Sequence, residues 1–217
     1  MKLSKILTTI VDFFPYTSNF IADVVADHGL VSKAILEKYK DKLVFASDNK
    51  IGPFKNLEIA LSSFDNAILS LSSGLEKLPN NVDTLIIAGM GGSLLYSIIN
   101  EGKIHLSHLD RIIVSPHKEE HLIRKFLYES GYIIDREIFL KDDNIYYSVI
   151  SFIKGKGKLT ELEYKYGPFI LKDKNADFIE YINKEISRIE NLLNNKNISS
   201  SRKEELEKEL KELKSLW

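Results

Sequence analysis

The chain contains no cysteine. That excludes disulfides, thiolate metal centres and cysteine nucleophiles, and it fits a cytoplasmic protein. Net charge is also missing: 30 Lys and Arg stand against 31 Asp and Glu, leaving −1. A nucleic-acid partner must therefore be held by a local basic patch and not by a global field. No apolar run is long enough to cross a bilayer. The stretch from Met1 to Phe14 is broken by Lys2, Lys5 and Asp12 and lacks a small-residue cleavage site, so neither a spanning helix nor a secretory leader is expected there. What remains is 217 residues that are 44% hydrophobic, enough for one ordinary core with a small appendage. A soluble protein is expected.

Apolar positions Leu3, Ile6, Leu7, Ile10, Val11 and Phe14 recur at helical spacing until Pro15 stops them. Phe20 to Val25 then reads as a buried strand, Leu30 to Tyr39 as a helix, and Leu43 to Ala46 as a second strand ending at Ser47 and Asp48. A helix from Gly52-Pro53 to about Phe64 leads to strands at 67–71 and 82–88. Gly89-Met90-Gly91-Gly92 follows directly, then a helix over 93–100, a strand over 111–114 and a helix over 117–129. Strands alternating with amphipathic helices imply a parallel sheet covered on both faces. Two further strands, 132–140 and 145–153, are separated only by Lys141 to Asn144, so they must form an antiparallel hairpin. Five parallel strands closed by such a hairpin resemble an α/β class I methyltransferase sheet, Rossmann-like but with an added hairpin.

After Gly167-Pro168 the periodicity becomes purely helical. Ile179, Ile182, Ile186, Ile189 and Leu193 form one stripe and Leu206, Leu210 and Leu213 another, with a loop at 194–197 and a capping box at Ser201 and Glu204. The expected division is a catalytic α/β domain over 1–168 and a C-terminal helical hairpin, a short coiled coil, over 169–217. That hairpin reads equally as a packing element or as an RNA clamp.

Several motifs, taken in order, resemble the bacterial tRNA (adenine-N1)-methyltransferases that act at tRNA position 22. Asp23-Val24-Val25-Ala26-Asp27-His28 is similar to the family's Asp-Ile-Gly-Ser-Asp-His. Asp48 to Phe54 is similar to an acidic residue followed by Gly-Pro-Tyr. Ala88 to Gly92 looks like its Ala-Gly-Met-Gly-Gly loop, the most specific of these strings. Ser115-Pro116-His117 with Leu122 to Leu127, and Tyr166-Gly167-Pro168, follow further family segments.

The resemblance implies methylation of adenine N1 in the tRNA D-arm, with S-adenosyl-L-methionine as cofactor and no metal. It implies a cofactor site formed by Asp23, Val25, Asp48, Asn49, Ser73, Gly74, Ala88, Gly89, Met90 and Gly91. Asp23 would face the methionine end, and Asp48 would accept the ribose hydroxyls with its two oxygens. Asp27 would stabilise the cationic product base, with His28 orienting it or touching the base. Asp27 as a helix cap is the plainer alternative. Gly91 and Gly92 would allow close approach of the substrate base. Lys118, Arg124, Lys125, Lys154, Lys156 and Lys158 are the basic candidates for RNA phosphates, although such residues are commonly just solvated surface. Val25 stands in place of a family glycine, Ser73 in place of an acid and Ile6 in place of an arginine. These departures leave a non-catalytic or weakly active tRNA-binding relative as the alternative. His117-Lys118-Glu119-Glu120-His121 spells a zinc-peptidase string, but no distal acidic ligand accompanies it, and zinc is rejected. A monomer or weak dimer without membrane contact is expected.

Overall fold

The computed structural model describes residues 3–195 and 198–217. Ser4 caps the first helix, α1 (Lys5–Phe13), by accepting from the Leu7 N–H, and the helix buries Ile10, Val11 and Phe13. The chain continues through β1 (Phe20–Val24), α2 (Leu30–Lys38), β2 (Leu43–Asp48), α3 (Ile51–Leu61), β3 (Ala67–Leu71), β4 (Thr84–Met90) and α4 (Gly92–Glu101). A short 3-10 turn precedes β5 (Arg111–Pro116), α5 (Glu120–Glu129), β6 (Tyr132–Asp142) and β7 (Ile145–Lys154). Four helices finish the chain: α6 (Glu161–Tyr166), α7 (Pro168–Asp173), α8 (Ala176–Leu193) and α9 (Ser200–Lys214).

The seven strands make one sheet ordered β3-β2-β1-β4-β5-β7-β6. β1 to β5 pair in parallel, and β7 runs antiparallel between β5 and β6. Strand residues alternate between two cores, one on each face, as period-2 side chains require. Ile87, Ile112 and Phe152 belong to the first core; Ile86, Ile113 and Val149 belong to the second. Neighbouring strand order reverses at β1 and β4, so a crevice opens above their carboxyl ends.

The structure sharpens the sequence boundaries in several places. The hairpin turn shrinks to Asp143 and Asn144, both at positive φ (46° and 63°), the pattern of a type I′ turn that matches strand twist. β4 continues through Gly89 and Met90, with an irregularity between Ala88 and Met90. α5 starts at Glu120 and not His117, because the His117 N–H is used by the Met90 carbonyl and Glu119 turns to φ 61°. The Ser201 capping box does not form. Ser199, first of three serines, has the extended backbone and accepts from the Arg202 N–H. Ile179 is 37% exposed, whereas Phe178 fills the interface that Ile179 was expected to fill. Residues 196 and 197 of the expected loop lie outside the described residues.

α6 and α7 were not anticipated. Thr160 and Glu163 form a full capping box on α6, and Pro168 occupies the first turn of α7. The 168/169 boundary therefore falls inside α7. The C-terminal helices share a third core with the sheet edge: Phe139 of β6 meets the Phe178 ring at 5.5 Å, and Ile182, Ile189, Leu206 and Leu213 continue it.

Candidate active site

Three loops converge at the carboxyl ends of β1, β2 and β4. The loop after β1 uses left-handed backbone at alternate positions, Val25 (φ 60°), Asp27 (φ 48°) and Gly29 (φ 65°). Only glycine takes this conformation freely; a β-branched valine there is strained. At Gly29 space is also short, since a Cβ would sit 2.8 Å from Leu57. Val25 and Asp27, in contrast, line an open cleft of about 500 Å³.

Asp48 ends β2 and is 3% exposed. Its Oδ1 accepts from the Lys50 N–H at 2.9 Å, and its Oδ2 accepts from the Asp27 N–H at 3.3 Å. One carboxylate thus ties two cleft loops together and still has acceptor sites left. Asp23 behaves differently. It is buried in β1, and its Oδ2 accepts from both the Ser32 N–H (3.1 Å) and the Ser32 hydroxyl (2.6 Å). Burial raises its carboxyl to about 6, against the lowering effect of those two bonds.

On the opposite wall, Gly89 takes φ 78° with no atom within 4 Å of where a Cβ would be. The cleft is lined by Val25, Asp27, Asp48, Asn49, Ser73, Gly74, Ala88 and Gly89, together with Lys50, Pro53, Leu94, Ser97, Ile98 and Glu101. The first eight of these carry the sequence expectation; the last six were missed. Leu94, Ser97, Ile98 and Glu101 form a single helical stripe directly after the glycine loop, a signal the sequence did contain.

Other candidates fall elsewhere. Asp23 is turned to Ser32. Met90 is buried in the first core. Gly91 is exposed just past the strand, and Gly92 is pressed against the carbonyls of Lys118 and Glu119, where any Cβ would collide. Gly92 is therefore a packing glycine and not a substrate contact. Glu119 completes this corner by accepting from the Ser93 N–H (3.2 Å) and hydroxyl (2.6 Å) at the start of α4. His28 and Asp27 are both solvent-exposed, with Nε2 and Oδ2 3.5 Å apart, and His28 Nδ1 lies 3.3 Å from the Asn56 amide nitrogen.

The basic candidates divide three ways. Lys118 and Lys125 are exposed, Lys118 on the cleft side of the sheet. Arg124 is completely buried: its guanidinium pairs with Glu137 at 2.7 Å and donates to the Tyr164 and Lys165 carbonyls at 3.0 Å each. It cannot meet RNA. Lys154, Lys156 and Lys158 leave the end of β7, where Ile153 pairs with Arg111 at the beginning of β5. They stand at the amino edge of the sheet, opposite the cleft, and Lys154 is spent on the Ser107 carbonyl at 2.7 Å. Among the described residues, no group of three or more His, Asp or Glu is gathered to hold a metal, and no helix is long and apolar enough to cross a membrane.

The strand order, the lone antiparallel β7 and a cleft over β1, β2 and β4 define the class I methyltransferase fold. The family model for tRNA (adenine(22)-N(1))-methyltransferase matches residues 21–215, and the chain belongs to that family. A Bacillus subtilis (strain 168) tRNA (adenine(22)-N(1))-methyltransferase is 28% identical over 202 residues, covering 88% of this chain and 84% of the relative. The crystal structure of the B. subtilis m1A22 tRNA methyltransferase superposes with a TM-score of 0.88 at 26% identity, over 99% of this chain and 98% of that one. A M. capricolum structure in complex with S-adenosyl-homocysteine shares the fold, with a TM-score of 0.88 at 24% identity over 99% and 97% of the two chains.

Proposed function

We propose that this chain transfers the methyl group of S-adenosyl-L-methionine to N1 of an adenine in the D-arm of tRNA. The observation that carries the reading is the cleft with the immobilised Asp48 carboxylate at its base, in a chain of this family. Its volume of about 500 Å³ suits a nucleoside-sized ligand. Asp48 and Asn49 would receive the ribose, Ser73 and Gly74 the adenine ring, and Val25 with Ala88 and Gly89 the amino-acid end. When bound, the cofactor supplies an electrophilic methyl on a sulfonium.

Adenine N1 carries an in-plane lone pair at neutral pH, so attack needs no base. The N1–carbon bond forms as the carbon–sulfur bond breaks, and the base becomes cationic without losing a proton. Positioning and exclusion of water are the main demands on the protein. The Asp27 carboxylate, on the cleft lining, would stabilise the charge that develops on the base. Lys118 and Lys125 would hold phosphates, and the hairpin of α8 and α9 would extend the RNA surface. The missing cysteines suit the cytoplasm, where tRNA substrates reside. The cleft is built from this one chain, and a monomer or weak dimer is the proposed state.

Incubation with unmodified tRNA and labelled S-adenosylmethionine tests the reading. One labelled 1-methyladenosine per tRNA is expected. Absence of transfer, with calorimetry showing no S-adenosylhomocysteine binding, would leave a scaffold that only binds tRNA.

A further inference from the structure

One aromatic pair, His117 and Tyr147, stands beside the glycine segment. β5 and β7 run antiparallel with Val114 opposite Ile150. Continuing that register three residues past β5's pairing brings His117 opposite Tyr147, and their rings meet with centroids 5.6 Å apart, tilted by 54°. His117 is exposed, and its backbone N–H donates to the Met90 carbonyl at 2.9 Å, which places its backbone beside the glycine segment. Tyr147 is partly buried and packs on the same core as Ala88, which lines the cleft. Ser115 pairs with Ala88 one strand over, and its buried hydroxyl has no hydrogen-bond partner among the described residues. Next to this wall, Gly89 and Gly91 leave open space where side chains would stand.

We infer that His117 and Tyr147 form the stacking wall that receives the target base once it has left its own stack, an inference that rests on the function proposed above. A flipped base needs an aromatic or apolar face to replace its lost neighbours. This target has a second need, since N1 methylation makes it cationic, and the face of a tyrosine ring attracts a cation. The pair adjoins the glycine segment through the His117 backbone bond to Met90 and shares a core with Ala88 of the cleft lining, the side from which an acceptor would enter for in-line attack.

Single-turnover methylation of tRNA tests this with His117→Ala, Tyr147→Ala and Tyr147→Phe. Loss of one stacking face is expected to slow transfer on the order of 10- to 100-fold in the two alanine variants. Tyr147→Phe keeps the ring and should remain within about twofold. S-adenosylhomocysteine affinity by calorimetry should be unchanged in all three. With 2-aminopurine at the target position, the quenching produced by wild type should weaken in the alanine variants. His117 is exposed, so its variant decides the matter even if Tyr147→Ala unfolds. Wild-type rates and quenching in a folded His117→Ala would overturn the stacking wall while leaving the methyltransferase reading intact. A wild-type protein that binds S-adenosylhomocysteine yet never methylates would overturn the reading beneath it.

Discussion

Gly89 and Gly167 both take positive φ, 78° and 95°, yet their surroundings are opposites. Gly89 faces empty cleft, whereas the position of a Cβ on Gly167 is already filled by the Glu137 carboxylate. The same contrast extends to the charges around them. At the rim, Asp27 and His28 are exposed, and at the base of the cleft each Asp48 oxygen accepts one backbone N–H and keeps acceptor capacity for a ligand. At the junction beneath the C-terminal helices, Arg124 and Glu137 are sealed together, and the arginine also binds the end of α6. A glycine-proline motif and an arginine can thus be fixed by packing, while a second glycine motif is left free for ligand. Residue type alone does not separate the two uses; burial does.

The largest expected effect tests the junction. Arg124→Ala leaves Glu137 buried without its partner and should cost about 3–5 kcal/mol in urea unfolding. Arg124→Met combined with Glu137→Leu should recover most of that loss, because the apolar pair removes the stranded charge. A single variant within 1 kcal/mol of wild type would show the junction to be as tolerant as the rim.

Asp23 gives the next effect, and its sign follows from burial. Its carboxyl titrates near 6 in the native state, above the value of about 3.9 expected when unfolded. The native state therefore holds the proton more tightly, and its contribution is complete below about pH 4 and lost as pH rises through 6. Asp23→Asn cannot titrate. Relative to wild type it should gain about 3 kcal/mol between pH 4 and pH 7, read from paired denaturation curves. Parallel curves would mean Asp23 is solvated in solution.

Val25→Gly probes the strain at the rim and should relieve about 1 kcal/mol of it, partly offset by glycine's greater freedom when unfolded. Calorimetry should show S-adenosylhomocysteine binding several-fold tighter (about 1 kcal/mol). Unchanged affinity would mean the valine does not narrow the cleft. The smallest effect is expected at the amino edge. Replacing Lys154, Lys156 and Lys158 by glutamine should change tRNA affinity by less than about twofold, whereas Lys118→Gln and Lys125→Gln should each lower the salt slope by about one. A large loss from the first set would mean that RNA wraps to the far side of the sheet.

Much of the fold is readable, because the parallel strands are short apolar runs, the long helices carry strong periodicity and the hairpin fixes the direction of β7. That same direction implied that Lys154 to Lys158 lie away from the cleft, an implication the local charge pattern concealed. Thr160 and Glu163 spelled a capping box as clearly as Ser201 and Glu204 did, and only the former formed. The eight expected residues that line the cleft sit at strand ends or in turns, where sequence position determines location. The burial of Arg124 is not legible locally, because it depends on Glu137, thirteen residues away, and on two carbonyls of α6. Tyr147 carries no local signal, because its ring partner His117 comes from the segment just past β5 and not from its own strand.

The first helix is fastened by residues that the ribosome adds much later. Ile6 donates its N–H to Asp142, 136 residues downstream, and Lys5 reaches Asp177, 172 residues downstream. During synthesis these two fastenings can form only once the β6–β7 hairpin and α8 have emerged. The sheet is closed by a clasp between early and late chain, and a chain halted before residue 142 would hold its opening helix through its packing on α2, such as Lys38 on Asp12 at 3.2 Å, but without the clasp.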